Sequence, residues 1–126
     1  MKLSLAPVNP VLPAADLARA RKFYQEMLGL EVLRGTTSGV VIFAAGGSTR
    51  LEIYEHGPPK AENTACSFAV TDIEDTIREL KDRGVTFEEY DMEDFKTVDS
   101  IATIGDEKAA WFKDSEGNII CLHQEG

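Results

Sequence analysis

Apolar and polar residues follow the same order twice along this chain. Residues 16–28 place apolar side chains at helical spacing, and Gly29 follows as a helix stop. Residues 72–83 repeat that pattern and are followed by Gly84. The spacing therefore predicts two amphipathic helices, each of which ends at a glycine.

Residues ahead of each helix are candidates for N-caps. Asp16 has the short acceptor side chain that an N-cap requires. Ahead of the second helix, Thr71 and Glu74 have the spacing of a capping box. We therefore expect both helices to begin at a side-chain cap.

Short apolar runs surround both helices and predict strands. One run precedes each helix, one follows it, and a hairpin closes each half. The predicted strands are NPVLPA (9–14), LEVLR (30–34), VVIFA (40–44), TRLEIYE (49–55), CSFAV (66–70), VTFEEY (85–90), AAWFK (109–113) and NIICLHQ (118–124). The repeat predicts an internal duplication of a βαβββ unit, with modules at residues 1–57 and 58–126.

Each predicted module has four strands and one helix, so one face of its sheet has no helix on it. Two such sheets side by side would form a curved mixed sheet around a cleft, where a ligand site is expected. The predicted fold class is α+β, built from two tandem βαβββ modules. A gapless alignment of the closing hairpins places Phe43 on Phe112 and Glu52 on Cys121.

The second half contains an acidic stretch, residues 91–107, that has no counterpart in the first half. Long connections in compact domains are often functional, so this stretch is a candidate lid over a pocket. The alternative is a surface excursion with a short strand around residues 101–104. The pattern alone leaves both interpretations open.

Charge and composition narrow the classes of function. The chain has 13 basic and 22 acidic residues, a net charge of −9, which is unfavourable for binding nucleic acid. Its longest apolar run, residues 40–45, is too short to span a membrane, and the N-terminus lacks the apolar stretch of a signal peptide. We therefore expect a cytoplasmic protein in which Cys66 and Cys121 are free thiols.

Four segments carry a resemblance to a known family: PVLPAADLARARKFYQEMLGLEV, RLEIYE, VTDIEDTIRELKDRGVTF and AWFKDSEGNIICLHQ. Together they resemble the vicinal oxygen chelate superfamily, also called glyoxalase/bleomycin resistance/dioxygenase proteins. The resemblance implies paired βαβββ modules, usually in a homodimer, with ligand pockets formed between modules.

Enzymes of that superfamily typically hold one divalent metal through a His on each opening strand and a Glu on each closing strand. By resemblance these positions are Asn9, Glu52, Ala65 and Cys121. Only Glu52 keeps the expected residue, and Ala65 offers no ligand atom. A carboxylate with a thiol also mixes hard and soft ligands. We therefore predict no cofactor, and the alternative is a variant divalent-metal site of Glu52, Cys121 and His123.

Alternation along the closing strands predicts which side chains share a ligand-facing surface. Arg50 and Tyr54 share the face of Glu52. Pairing across the second hairpin adds Phe112, or Trp111 if the register shifts by one residue. The candidate ligand wall, in which no residue is assigned a catalytic role, is Asn9, Phe43, Arg50, Glu52, Tyr54, Trp111, Phe112, Cys121 and His123. Packing in the core is the alternative role of each strand aromatic.

Aromatic and charged side chains of this kind suit a planar or cationic organic ligand. The bleomycin resistance branch of the family, which this chain resembles in its acidic balance, sequesters a cationic drug without transforming it. We therefore predict metal-independent binding of a small organic molecule by a homodimer. The alternatives are a metal-dependent lyase, isomerase or dioxygenase that uses Glu52 with His123 or Cys121, and an interaction module without a pocket ligand.

Overall fold

The computed structural model describes residues 2–35, 39–60 and 62–126. The chain divides into two compact units, Met1–Pro59 and Lys60–Gly126, which we call the first and second modules. Each contains a helical segment and a four-stranded mixed sheet. The predicted α+β fold of two tandem βαβββ modules is confirmed. Among the described residues, no helix is long and apolar enough to cross a membrane.

The first module has its strands in the order β1-β4-β3-β2. Strand β1 runs parallel to β4, and the other neighbours are antiparallel. Its elements are a 3-10 turn (Leu3–Leu5), β1 (Val11–Ala14), α1 (Leu17–Lys22), β2 (Glu31–Gly35), β3 (Val40–Ala44) and β4 (Arg50–Glu55). All four strands predicted for this half are present, with small differences at their ends.

The second module repeats this arrangement in the order β5-β10-β9-β8, with β5 parallel to β10. A separate two-stranded sheet, β6 with β7, is the addition. The elements are β5 (Thr64–Ala69), α2 (Ile73–Asp82), β6 (Asp91–Met92), β7 (Phe95–Lys96), β8 (Ala102–Ile104), β9 (Glu107–Lys113) and β10 (Ile119–Gln124).

The outer edge of the second sheet differs from the sequence-based expectation. Residues 85–90 do not form a regular strand, and only Phe87 makes a bridge, with Phe112 of β9. Strand β8 pairs with the other half of β9, so the short strand expected around residues 101–104 is confirmed. The chain inserted after residue 90 therefore divides the edge position between two short segments.

Both helices begin at an aspartate. The Asp16 carboxylate accepts a hydrogen bond from the Arg19 N–H at 3.0 Å, and the Asp72 carboxylate accepts one from the Asp75 N–H at 3.1 Å. The capping-box spacing indicated Thr71, but the cap is the next residue. A carboxylate caps as well as a hydroxyl, and its charge also favours the positive end of the helix.

The first helix ends in a π turn. Residues Phe23–Met27 continue α1 without a break, and the Leu28 N–H donates to the Phe23 carbonyl at 3.1 Å. The wider turn is compatible with burial of two consecutive residues, Phe23 and Tyr24, whose ring centroids are 5.4 Å apart. The π turn thus lies where the helix contributes most to the core.

Each helix covers one face of its own sheet. Helix α1 packs on β3 and β4, where Phe43 lies against Tyr24 with ring centroids 5.6 Å apart. Helix α2 packs on β9 and β10, where the Lys108 Nζ is 2.7 Å from the Glu74 Oε1. We call the opposite surface of each sheet its helix-free face. Because strand side chains alternate, the pairing register decides which residues lie there.

Candidate functional site

Glu52 lies in the middle of the helix-free face of the first module. It pairs with Val11 of β1 and Ile42 of β3, so these three side chains form one row across the sheet. Glu52 is half-buried and Val11 is exposed, whereas Ile42 is 6% exposed. The carboxylate therefore sits between two apolar neighbours.

Other predicted wall residues of the first module lie beside this row. Arg50 and Tyr54 flank Glu52 at a spacing of two along β4, so all three share one face. The Asn9 Oδ1 accepts a hydrogen bond from the Arg50 N–H at 2.9 Å, which holds the chain ahead of β1 against β4. Tyr54 lies against His56, with ring centroids 5.5 Å apart. The result is a polar surface with one aromatic pair.

Cys121 has the equivalent place in the second module. It pairs with Ser67 of β5 and Trp111 of β9, which gives the row Ser67, Cys121 and Trp111. The buried thiol donates to the Leu122 carbonyl at 3.3 Å. Burial raises the pKa of the Cys121 thiol, against the opposing effect of a hydrogen bond from Ser67. The thiol is therefore protonated at neutral pH.

The register of the second hairpin decides which aromatic residue shares the face of Cys121. Trp111 is its direct partner, and Phe112 is one residue out of phase. Phe43 and Phe112 are each 0% exposed on the helix side of their sheets, where Phe112 lies 5.3 Å from Phe87 between ring centroids. Phe43 and Phe112 therefore drop out of the candidate ligand wall.

The Trp111 side chain extends across the helix-free face of the second sheet. Its Nε1 donates to the Thr64 Oγ1 at 3.1 Å, and Thr64 belongs to β5, two strands away from β9. Neighbouring strands lie about 4.8 Å apart, so the indole has to reach over β10 to make this bond. This path accounts for the burial of Cys121, the residue of β10 directly beside it.

Two more aromatic rings lie against Trp111. The centroid of the Phe95 ring is 5.3 Å from the Trp111 centroid, and that of Tyr90 is 6.0 Å away. Tyr90 and Phe95 are themselves 5.4 Å apart. We call Tyr90, Phe95 and Trp111 the aromatic cluster. Its tilted and edge-to-face geometries are the favourable ones for aromatic rings.

His123 lies on the same face of β10, two residues beyond Cys121. Its Nε2 is 3.2 Å from the Glu107 Oε1, and both side chains are partly exposed. Alternation along β9 places Glu107 on the face of Trp111 as well. The helix-free face of the second module thus has an ionisable pair towards one end and the aromatic cluster towards the other.

Sequence reasoning did not single out Tyr90, Phe95 or Glu107. The first two stand in the acidic stretch EEYDMEDF, where two aromatic residues among carboxylates are an unusual and readable signal. Glu107 gave no such signal, because its contact with His123 depends on the register between β9 and β10.

The residues at the family's metal positions do not fit a divalent ion. Ala65 has no donor atom, the Asn9 Oδ1 accepts a backbone hydrogen bond, and Cys121 puts a soft thiol where the family has a hard carboxylate. Within residues 2–35, 39–60 and 62–126, no group of three or more His, Cys, Asp or Glu side chains is arranged to hold a metal ion. We therefore assign no chemical step to a metal.

The fold matches solved structures over nearly its whole length. UcmS2 superposes with a TM-score of 0.75 at 20% identity and covers 98% of each chain. TnmS3, an antibiotic binding protein from Streptomyces sp. CB03234, gives a TM-score of 0.72 at 22% identity, with 95% of each chain covered. Lactoylglutathione lyase from Agrobacterium tumefaciens gives 0.70 at 16% identity, covering 98% of this chain and 96% of that one.

Identities this low show a shared fold and leave the activity open. The sequence itself gives the stronger match, because one family model fits residues 6–122. That span includes both helices and nearly all of both sheets. The chain belongs to the Glyoxalase/Bleomycin resistance protein/Dioxygenase superfamily.

Proposed function

We propose that this chain binds and sequesters a flat organic ligand, preferably a cation, on the helix-free face of the second module. Binding requires no metal. The observation that carries the proposal is the half-buried Trp111, which reaches across β10 and meets Tyr90 and Phe95 at ring-centroid distances of 6.0 and 5.3 Å. A planar ring placed on this surface gains stacking contacts with little loss of side-chain freedom.

Charge around the aromatic cluster favours a cation. Residues 88–94 contain five carboxylates, and Tyr90 lies among them. Burial, and then the Glu88 carboxylate, raise the pKa of the Tyr90 hydroxyl, so the ring stays a neutral phenol at physiological pH. An aromatic ring beside carboxylates attracts a flat cation through both its face and the local field.

Relatives of the same fold support a binding role and leave room for catalysis. One of them is an antibiotic binding protein, and another is a lyase. We favour the binding role because three of the four positions that hold the metal in the family's enzymes lack the expected residue. We also propose that the chain forms a homodimer, as the family resemblance implies. Analytical ultracentrifugation of the purified chain tests this assembly.

Calorimetric titration with three probes tests the proposal. Proflavine is a flat cation, acridone is flat and neutral, and tetraethylammonium is a cation without a ring. We expect proflavine to bind most tightly, and the Trp111→Ala change to weaken it roughly tenfold, since a cation–π and stacking contact is lost. Ile42→Val, at the equivalent place of the first module, is the matched control and should leave the affinity unchanged.

Two results would overturn this function. If none of the three probes binds, the proposed class of ligand is wrong. If Trp111→Ala binds proflavine as tightly as the wild type does, the proposed binding surface is wrong. Metal analysis after incubation with Zn, Mn, Ni and Fe(II) addresses the enzymatic alternative. Stoichiometric uptake with a raised melting temperature, lost in Glu52→Gln, would favour a metal-dependent lyase, isomerase or dioxygenase instead.

A further inference from the structure

The hairpin of β6 and β7 has a firmly bonded base. The Tyr90 N–H donates to the Thr97 Oγ1 at 2.8 Å. In return, the Thr97 N–H donates to the Tyr90 carbonyl, also at 2.8 Å. The Glu89 carboxylate accepts bonds from the Thr97 hydroxyl at 2.6 Å and from the amide and hydroxyl of Ser100 at 3.1 and 3.0 Å. Ser100 is 1% exposed, so these bonds tie the base to buried structure.

Beyond that base, the tip of the hairpin, residues 91–96, is held lightly. Five of its six residues are exposed, and Phe95 is half-buried. Each strand of the tip has two residues, and the Lys96 Nζ is 3.8 Å from the Asp91 Oδ1 in an exposed ion pair of little strength. The Phe95 ring, against Trp111 and Tyr90, is the side chain that anchors the tip to the second sheet.

We propose that Phe95 is a specificity-determining residue, which closes the tip over a flat cationic ligand stacked on Trp111. This inference rests on the proposed function and adds to it the second wall of the site. The tip carries Asp91, Glu93 and Asp94, so closure brings carboxylates to the ligand together with the ring. A ligand that is both flat and cationic stacks on the Phe95 ring and is attracted by these carboxylates.

Ring spacing sets the size of the required movement. Stacked layers lie about 3.5 Å apart, so a ligand ring between Phe95 and Trp111 needs a separation of about 7 Å. The present centroid distance is 5.3 Å with the two ring planes at 57°, so the Phe95 ring has to move outwards by roughly 2 Å and turn towards the plane of the indole. A tip with two residues in each strand can supply that shift while the bonds of Glu89 and Thr97 at the base persist.

Proflavine titration of Phe95 variants tests this role. We expect Phe95→Ala to weaken proflavine binding roughly five- to tenfold, the effect of one aromatic contact. Phe95→Leu keeps apolar volume without a ring and should reduce the preference for proflavine over tetraethylammonium, while Trp111 still stacks on the ligand. Val98→Ala, an exposed apolar residue just outside the hairpin, is the matched control and should bind as the wild type does.

Hydrogen exchange of the backbone amides gives a second test, because a Phe95 that only stabilised the fold would not make their exchange depend on proflavine. Proflavine should slow the exchange of amides in residues 91–96 and leave those of Thr97 and Ser100 as protected as before. Unchanged or tighter proflavine binding by Phe95→Ala, with Trp111→Ala still weakened, would overturn the role of Phe95 and leave the proposed function standing. Absence of wild-type binding would overturn both.

Discussion

The helix-free faces of the two modules have the same geometry and different chemistry. At the family's closing-strand position, the first module has Glu52 in a row between Val11 and Ile42. The second module has Cys121 between Ser67 and Trp111. The backbone register of the two rows is the same, since in each the closing-strand residue has one parallel and one antiparallel partner.

The comparison indicates where the two copies of the module have diverged. The helix-facing sides remain alike, with Phe43 and Phe112 at equivalent positions and both fully buried. The helix-free faces differ in the row through the closing strand, where the first module has the Glu52 carboxylate and the second has the Cys121 thiol beside the Trp111 indole. A fold that constrains one face of a sheet by packing leaves the other free to take on new ligands.

The largest expected effect tests the similarity of the helix-facing sides. Phe43→Ala and Phe112→Ala should each lower the free energy of unfolding by about 3–5 kcal/mol, because each empties a fully buried site. Urea denaturation measures both losses, and the two Phe→Leu variants provide a milder matched pair. A loss confined to one of the two positions would break the equivalence of the modules.

A second test concerns the Trp111 indole, which the row through Cys121 has and the row through Glu52 lacks. Trp111 covers Cys121, so Trp111→Ala should increase the rate at which iodoacetamide labels Cys121 by roughly tenfold, as the thiol becomes accessible and its pKa falls towards the ordinary value. Mass spectrometry after digestion follows each cysteine separately. Equal rates in both proteins would show that the indole does not shield the thiol.

Cys66 is the internal control for that experiment. It pairs with Ile120, the neighbour of Cys121 along β10, and therefore lies on the opposite side of the sheet. Burial, followed by the charges of Asp114 and Cys121, raises its pKa to about 11. At pH 8 about a thousandth of such a thiol is ionised, so its labelling should stay slow in both proteins. Faster labelling of Cys66 in the variant would indicate general loosening.

A third test addresses the insertion, which the first module lacks. Glu89→Ala removes the acceptor of the Thr97 hydroxyl and of the buried Ser100 and should cost about 1 kcal/mol in unfolding free energy at pH 7. The hydrogen bond from Thr97 lowers the pKa of Glu89 below its ordinary 4.5. The stabilisation is therefore present above pH 4.5 and is lost as the pH falls through the lowered value in the folded state.

Urea denaturation of wild type and Glu89→Ala at pH 7 and in steps below pH 4.5 measures this effect. The difference between the two proteins should shrink as the pH falls. Glu93→Ala, at the exposed tip, is the control and should differ little from the wild type. A difference that grows at low pH would contradict the assigned role of Glu89.

The smallest expected effect concerns the bond that holds the indole across β10. Thr64→Val keeps the shape of the side chain and removes the acceptor of the Trp111 Nε1, which should cost about 0.5–1 kcal/mol or less. Because the chain has one tryptophan, its emission spectrum reports on this position alone. A spectrum identical to that of the wild type would show that the bond does not set the environment of the indole.

Much of the fold could be predicted from residue patterns because local signals agreed with one another. Helical spacing, glycine stops and hairpin turns recur at matching places, and the gapless alignment of Phe43 with Phe112 corresponds to equivalent buried positions. The strand expected at residues 85–90 did not form, because the inserted chain interrupts that edge and β8 takes part of its place.

The candidate site was less predictable because it depends on register and on long-range contacts. One residue of register separates Trp111 from Phe112, and the turn sequence did not decide between them. Tyr90 and Phe95 reach Trp111 only through the path of the insertion, which has no repeat in the first half to guide an alignment. Their contacts could not be inferred from spacing along the chain.

The π turn at Phe23–Met27 has a consequence for how this chain tolerates change in length. A π turn contains about one residue more than the corresponding α turn does. The helix at Phe23–Met27 therefore already accommodates one extra residue. Loss of one residue there would restore a regular α-helix and leave Gly29 and β2 in register. The same loss within α2 would rotate its buried side chains by about 100° and expose them, because that helix has no extra residue to give up.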